Sequence, residues 1–467
     1  MKKILKLCLA CSMLLAYTAG FSQLRLPSIL QSGMVLQQQD SVNLWGWSGP
    51  SWKVTVTTSW DNQTYTTEAS ELAKWKLKVK TPAAGGPYQI KIESGREIIL
   101  DDVMIGEVWV CSGQSNMEWN FHLGVKDIAA EFPTAYNRNI RLYQIEKTGS
   151  DYPQEDIQAS WAVCDSNTLK TFSAVGYFFG KHLHSQLNVP IGLINASWGG
   201  TPAEPWTPEE LIENDAELKQ AAEALKTVAW WPVRPGKAYN AMIAPIVNHS
   251  IAGVIWYQGE SNVPTSSTYC KLFTTMIDSW RAAWQKELPF YYVQIAPFAY
   301  EGEYGGALLR QAQLEASTHP RTGMVVITDL VDNVHDIHPG RKNPVGTRLA
   351  NYALATTYNK PIDGYRSPEF AGSSVEKGKL VLRFNYADKG MRLKGARPEA
   401  LLIADENAKE WLPAQVKIEK NTVIAWHPKI KKPAHVRYGF GNILIGNLES
   451  VQGLPVAPFR TDHEPLK

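Results

Sequence analysis

From about residue 103 to residue 358 the sequence alternates short apolar runs with stretches of helical spacing, and no other feature constrains the fold as strongly. Residues 103–110, 189–196, 251–257, 289–295 and 324–328 read as strands. Residues 175–187, 208–225, 267–284, 308–317 and 345–355 read as helices. Successive strands separated by helices pair in parallel, and each crossover helix covers a face of the sheet. The expectation for 103–358 is therefore a three-layer α/β/α unit with a largely parallel sheet. In such sheets ligands bind beyond the carboxyl ends of the strands, so the loops that follow the strands are where chemistry is to be sought.

The flanks have a different rhythm. Residues 23–102 carry period-two segments split by Gly, Pro and Asn (Val42–Trp47, 53–58, 75–79, 88–92), the pattern of a small β-sandwich. Residues 359–467 are again β-rich, either a third domain or strands that complete the first. Residues 1–22 begin with Lys2, Lys3 and Lys6, continue through a short apolar run and end in small residues, as an export signal cleaved near Gly20–Gln23 does. The mature chain is then expected in the periplasm or secreted, with no membrane segment. Without those lysines its charge is close to neutral, which argues against nucleic acid as a partner. Cleavage also removes Cys8 and Cys11. The three that remain (Cys111, Cys164 and Cys270) lack metal-ligand spacing and permit one bridge at most. Cys111 reads as a buried thiol. No cofactor or metal is expected, and oligomeric state is left open.

Four strand-end loops concentrate reactive side chains. The first, Gly113-Gln114-Ser115-Asn116-Met117, sets a serine just after an apolar strand. A serine hydroxyl needs a neighbouring base to become a nucleophile, and helix capping is the other use of a serine in such a turn. The second, Ser197-Trp198-Gly199-Gly200-Thr201-Pro202, has paired glycines whose backbone can approach a substrate. In the third, Trp256-Tyr257-Gln258-Gly259-Glu260-Ser261-Asn262, Gln258 offers an uncharged donor suited to an oxyanion. The fourth, Asp332-Asn333-Val334-His335-Asp336-Ile337-His338, holds two imidazoles and two carboxylates. Acyl transfer needs such an imidazole beside the serine, while zinc binding is the competing use of a His/Asp cluster. Several of the seventeen tryptophans, among them Trp119, Trp198, Trp206, Trp230 and Trp231, fall in Gly/Pro-rich connections. There they either stack on sugar rings or pack the loops.

These four segments, in this order, resemble the SGNH (GDSL-like) hydrolase superfamily, and specifically its sialate O-acetylesterase family. Tyr239-Asn240-Ala241-Met242-Ile243-Ala244-Pro245, Leu309-Arg310-Gln311-Ala312-Gln313 and Gly453-Leu454-Pro455-Val456-Ala457-Pro458-Phe459-Arg460 extend the likeness over nearly the whole mature chain. The resemblance implies an SGNH-like α/β/α fold and a serine esterase that removes acetyl groups from carbohydrates, O-acetylated sialic acids first, through an acetyl-enzyme. It implies Ser115 as nucleophile and His338 as base and then acid. The oxyanion hole would use the Ser115 N–H, an N–H at Gly199 or Gly200, and the Gln258 side chain.

The superfamily sets its acid three residues before the histidine, where this chain has His335. Asp336 is the favoured partner of His338. Asp332, as an Asp332–His335 pair, and Glu260 are the alternatives, and Glu260 and Asn262 are expected to brace their loop. Trp198 and Arg310 are candidate substrate contacts. Acetylated plant polysaccharide such as acetylxylan is the rival substrate, and a non-catalytic carbohydrate-binding protein is the rival class.

Overall fold

The computed structural model describes residues 24–464 and 466. The expected export signal lies outside the described residues.

The α/β expectation for 103–358 is met, with a mixed rather than wholly parallel sheet. Numbering the elements of this central unit in chain order, the strands are β1 (Arg96–Gly113), β2 (Asn137–Gln144), β3 (Trp161–Cys164), β4 (Ile191–Ser197), β5 (Gly253–Tyr257), β6 (Phe290–Val293) and β7 (Thr322–Val325). Their spatial order is β7-β6-β5-β1-β4-β2-β3. Every pair is parallel except β2 with β3. The sequence reading missed β2 and β3. They form one edge of the sheet, and Asn137-Arg138-Asn139-Ile140-Arg141 carries polar residues where the central strands are apolar.

The sheet is covered on both faces by helices α1 (Ser115–Glu118), α2 (Ala174–Leu187), α3 (Ser266–Trp284), α4 (Gly305–Ala316) and α5 (Lys342–Thr356). Helix α3 buries Tyr269, Leu272, Phe273, Met276, Ile277, Trp280 and Trp284, an apolar stripe at helical spacing, and with α4 it covers one face. Helices α2 and α5 pack together over the other face on Trp109, Phe179, Leu349 and Tyr352. The helix expected over 208–225 is two, Glu209–Glu213 and Ala216–Ala224. The break is local: the Asp215 carboxylate accepts the Glu217 and Leu218 N–H groups and starts a second helix.

Strand β1 is continuous through residues 102 and 103, where the sequence changes rhythm. Its first half pairs with Val35–Gln37 and Gly85–Ser94 of the N-terminal β-region, and its second half with β4 and β5. The C-terminal strands form their own sheets around Leu382, Phe384, Ile403, Val423 and Tyr438. Among the described residues none of them pairs with an N-terminal strand, so they do not complete the first sheet. No helix among the described residues is long and apolar enough to cross a membrane.

The register at the middle of the sheet positions the site. Gly113, the last residue of β1, is level with Ser197 of β4 and with Tyr257 of β5. The three loops that follow therefore leave the sheet side by side. At Gly113 φ is +131°, and a Cβ would stand 2.2 Å from the Tyr257 carbonyl oxygen. Gly113→Ala is expected to cost roughly 2–4 kcal/mol from strain and displacement of β5. A fall in Tm with loss of esterase activity checks this, and an unchanged Tm would refute the packing account.

Candidate active site

Ser115 opens the single turn of α1 directly beyond β1, with Gln114 extended before it (φ −106°). Gln114 staples this turn to the loop after β5: its N–H donates to Tyr257 O (3.0 Å), and its Oε1 accepts the Gly259 N–H (3.2 Å). Ser115 Oγ lies 2.9 Å from His338 Nε2. As the first N–H of a helix, the Ser115 N–H has no intrahelical partner, and it finds none elsewhere among the described residues.

His338 comes from the loop between β7 and α5. Its ring stacks on Trp119 with centroids 3.9 Å apart and planes 19° apart. Asp336 is its nearest carboxylate, but the bond between them runs to the backbone. Asp336 Oδ1 accepts the His338 N–H (2.9 Å), an Asx-turn, and stands 3.9 Å from Nδ1, beyond hydrogen-bond reach. The Asp332–His335 alternative is not assembled: Asp332 pairs with Arg341 (3.4 Å), and His335 is exposed with its N–H on Asn333 Oδ1. Burial, and then the nearby Lys342 charge, push the His338 imidazole down to about 4, with Asp336 opposing.

Gly199 and Gly200 arrive beside Ser115, and a Cβ on Gly199 would stand 3.4 Å from the Ser115 Cβ. Their N–H groups have different fates. The Gly199 N–H donates to Glu118 Oε2 (2.6 Å), whose other oxygen holds Lys147 (2.8 Å). The Gly200 N–H has no partner among the described residues. Gly200 has φ +81°, and a Cβ there would run into the Trp231 ring at 2.3 Å, so the turn requires glycine. Trp198 donates its N–H to Gly113 O (3.0 Å) and its indole Nε1–H to Trp230 O (3.3 Å).

Two expected roles need correction. Gln258 is fully buried, and its amide is used within the fold: Nε2 donates to Asn262 Oδ1 (2.8 Å) and Thr201 O (3.4 Å), and Oε1 accepts the Tyr269 hydroxyl (2.9 Å). Both amide hydrogens are thus committed before any oxyanion arrives. Arg310 is 0% exposed and donates to Gly441 O (2.5 Å), which ties α4 to the C-terminal sheets and leaves no surface for a substrate. Asn262 receives the Ala203 N–H (2.9 Å) and donates to the buried Glu204 carboxylate (2.9 Å). Burial raises the Glu204 pKa to about 7.

Glu260 also braces, through residues the sequence reading passed over. Its Oε1 accepts Asn116 Nδ2 (2.6 Å), which donates in addition to Ile337 O (3.0 Å), while Asn116 Oδ1 accepts the buried Lys342 ammonium (2.6 Å). Asn116 stood inside the serine run already singled out, and Glu118 directly follows it. Lys342 opens the last helix, and nothing in its spacing announces that the fold buries it. Cys111 is buried against Gly176, and burial raises its thiol pKa far above the ordinary range. Beside the loops lies a cavity of about 780 Å³ whose wall includes Gly200, Lys226, Trp231, Glu260, Ser261 and Tyr300. Among the described residues no group of three or more His, Cys, Asp or Glu side chains is arranged to hold a metal.

Comparison with known proteins adds a family to this geometry. Residues 105–355 match the family described as carbohydrate esterase, sialic acid-specific acetylesterase. The chain is 29% identical to the sialate O-acetylesterase of Homo sapiens over 433 residues, covering 84% of this chain and 82% of that one. With the Mus musculus sialate O-acetylesterase it shares 26% identity over 462 residues, at 84% coverage of each. A solved carbohydrate acetylesterase from Xanthomonas citri superposes with a TM-score of 0.86 at 34% identity, covering 95% of this chain and all of that one. A mixed, largely parallel sheet of this kind, with these relatives, defines a carboxylic ester hydrolase. More narrowly, the chain belongs to the sialic acid-specific acetylesterase family of carbohydrate esterases.

An imidazole held near 4 is neutral throughout the mildly acidic range in which an ordinary histidine, at about 6.5, becomes charged. With a neutral aryl acetate, kcat/KM is expected to stay level from neutral pH down to about 5 and to fall on an acid limb near 4. A limb centred near 6.5 would contradict this environment for the base.

Proposed function

We propose that this carbohydrate esterase removes O-acetyl groups from sialic acids, with Ser115 as nucleophile and His338 as general base and acid. The observation that carries the reading is the 2.9 Å contact between Ser115 Oγ and His338 Nε2 in a chain of this family. Neutral His338 takes the Ser115 proton as Oγ attacks the acetyl carbonyl carbon. The carbonyl oxygen, now an oxyanion, receives the free N–H groups of Ser115 and Gly200. Collapse passes the proton from His338 to the departing sugar oxygen and leaves acetyl-Ser115. Water, deprotonated by His338, then releases acetate and restores the serine. Asp336, 3.9 Å from Nδ1, stabilises the imidazolium formed in each step and fixes the loop that carries it. Gln258 acts by holding Thr201, and with it the glycine turn, in place.

The sugar belongs in the cavity walled by Trp231 and Tyr300. Trp231 offers an aromatic face for the ring, and Lys226 is the cation of that wall that can meet a sialate carboxylate. Glu301 and Glu303 line the same cavity and favour a second reading, an uncharged acetylated polysaccharide such as acetylxylan. The basic and apolar start of the chain supports export to the periplasm or beyond.

Two measurements test these statements. Ser115→Ala is expected to lower acetate release from an aryl acetate by at least about 10³-fold. Undiminished release would leave a carbohydrate-binding protein as the better description. Offered O-acetylated sialic acid and acetylxylan at equal acetyl concentration, the enzyme is expected to release acetate faster from the sialic acid. The reverse order would transfer the assignment to the polysaccharide.

A further inference from the structure

The mechanism above leaves a buried cation next to the site without a task. Lys342, the first residue of α5, is 0% exposed. A buried ammonium is costly, and an apolar side chain of the same length would suit a core better. Its hydrogen-bond partner is a neutral oxygen, Asn116 Oδ1, at 2.6 Å. Its ammonium also lies 5.3 Å from the Tyr257 ring centroid and 5.9 Å from that of Trp119, the ring on which His338 stacks.

We propose that Lys342 is a positioning residue for the Ser115–His338 pair, acting through the Asn116 amide. The inference rests on the reading of those two residues as nucleophile and base. Asn116 directly follows Ser115, and its Nδ2 donates to the carbonyl of Ile337, which directly precedes His338. One side chain thus joins the backbone of the nucleophile to the backbone of the base. An amide can present either end. With an ammonium at 2.6 Å from Oδ1, the oxygen must face Lys342, and the NH₂ must face Glu260 and Ile337. Remove the ammonium and Oδ1 loses its donor, so the amide is held from the Nδ2 side alone, by Glu260 and Ile337, and the placement of the His338 ring loosens.

The same charge acts directly on the imidazole. The charged groups that face His338 are Lys342, which favours the neutral ring, and Asp336, which opposes it. Those that face Lys342 are Glu260, Asp127 and Asp336, all of which favour its charged form against the burial that draws its pKa down to about 7. Below that pH Lys342 carries its charge, and the histidine is held neutral through the range in which it would otherwise be protonated.

The test compares two variants on a neutral aryl acetate. Lys342→Gln keeps a donor for Asn116 Oδ1 and removes the charge, whereas Lys342→Met removes both. Both are expected to move the acid limb of kcat/KM upward by about one pH unit. Only the Met variant is expected to lose plateau kcat, about tenfold, with KM changed less than about twofold. Wild-type limbs in both variants overturn the proposal, and so does a Met variant with a wild-type plateau. A merely structural lysine would lower Tm and the amount of folded enzyme without moving the limb. Should the Met variant fail to fold, Asn116→Ala tests the same link. It is expected to lose about tenfold in kcat with the acid limb in place, and an unchanged kcat overturns the proposal. If Ser115→Ala is active, the catalytic reading itself falls. If that variant is dead while both Lys342 variants match the wild type, this inference alone falls.

Discussion

The site depends on a register. Strand β1 lies at the middle of the sheet between β4 and β5, and Gly113 pairs level with Ser197 on one side and Tyr257 on the other. Because the strands are parallel, all three end on the same edge, and loops that are far apart in sequence leave the sheet as neighbours. This is the point where the chain, having built one side of the sheet, crosses to the other, and such points open a crevice. Shifting one of these strands by a residue would turn its side chains to the opposite face and separate the serine from the glycine turn. The apolar packing on both faces, with Trp109 on one side and Trp256 on the other, makes such a shift expensive.

Above the sheet the loops are held by neutral amides. Gln114, Asn116, Gln258 and Asn262 each bridge two or more segments, and each is buried. An amide carries donors and acceptors on one small planar group, so it satisfies buried backbone on both sides without bringing in a charge. The two carboxylates among them, Glu204 and Glu260, are reached through Asn262 and Asn116. Exposed ion pairs such as Lys147–Glu118 lie outside this set and contribute little by comparison.

How much of this was legible in the sequence follows from what each feature depends on. The strand–helix rhythm is local, and it located the central strands other than the polar edge strands β2 and β3, and the long helices α2 to α5, but not short turns such as α1. The serine and histidine that the structure brings to 2.9 Å were singled out by motif and order. Gln258 was legible as a residue of the site but not in its orientation, because the groups that capture its amide, Thr201, Asn262 and Tyr269, arrive from three separate elements. Arg310 was named as a candidate substrate contact, and its burial was illegible for the same reason. An arginine on a helix reads as exposed until the C-terminal sheets, some 130 residues later, cover it. Lys342 is the extreme case, since only the assembled loops turn a helix-start lysine into a fully buried one.

A base held near 4, as proposed for His338, is unprotonated at neutral pH but thermodynamically weak, since proton transfer is favoured most when the base is matched to the working pH. Under the proposed mechanism the remedy is Asp336. Its carboxylate is 56% exposed and is held by one backbone bond, with Nδ1 at 3.9 Å. While the ring is neutral, little draws the two together. In the proposed mechanism Ser115 gives up its proton and the ring becomes cationic, and a small approach by Asp336 would then convert a long contact into a charge-assisted hydrogen bond. Bound sugar that covers the loop would exclude water and strengthen that bond further. Resting neutrality and transition-state stabilisation thereby fall, as proposed, to different groups: burial and Lys342 hold the proton off, and Asp336 would stabilise it when it comes.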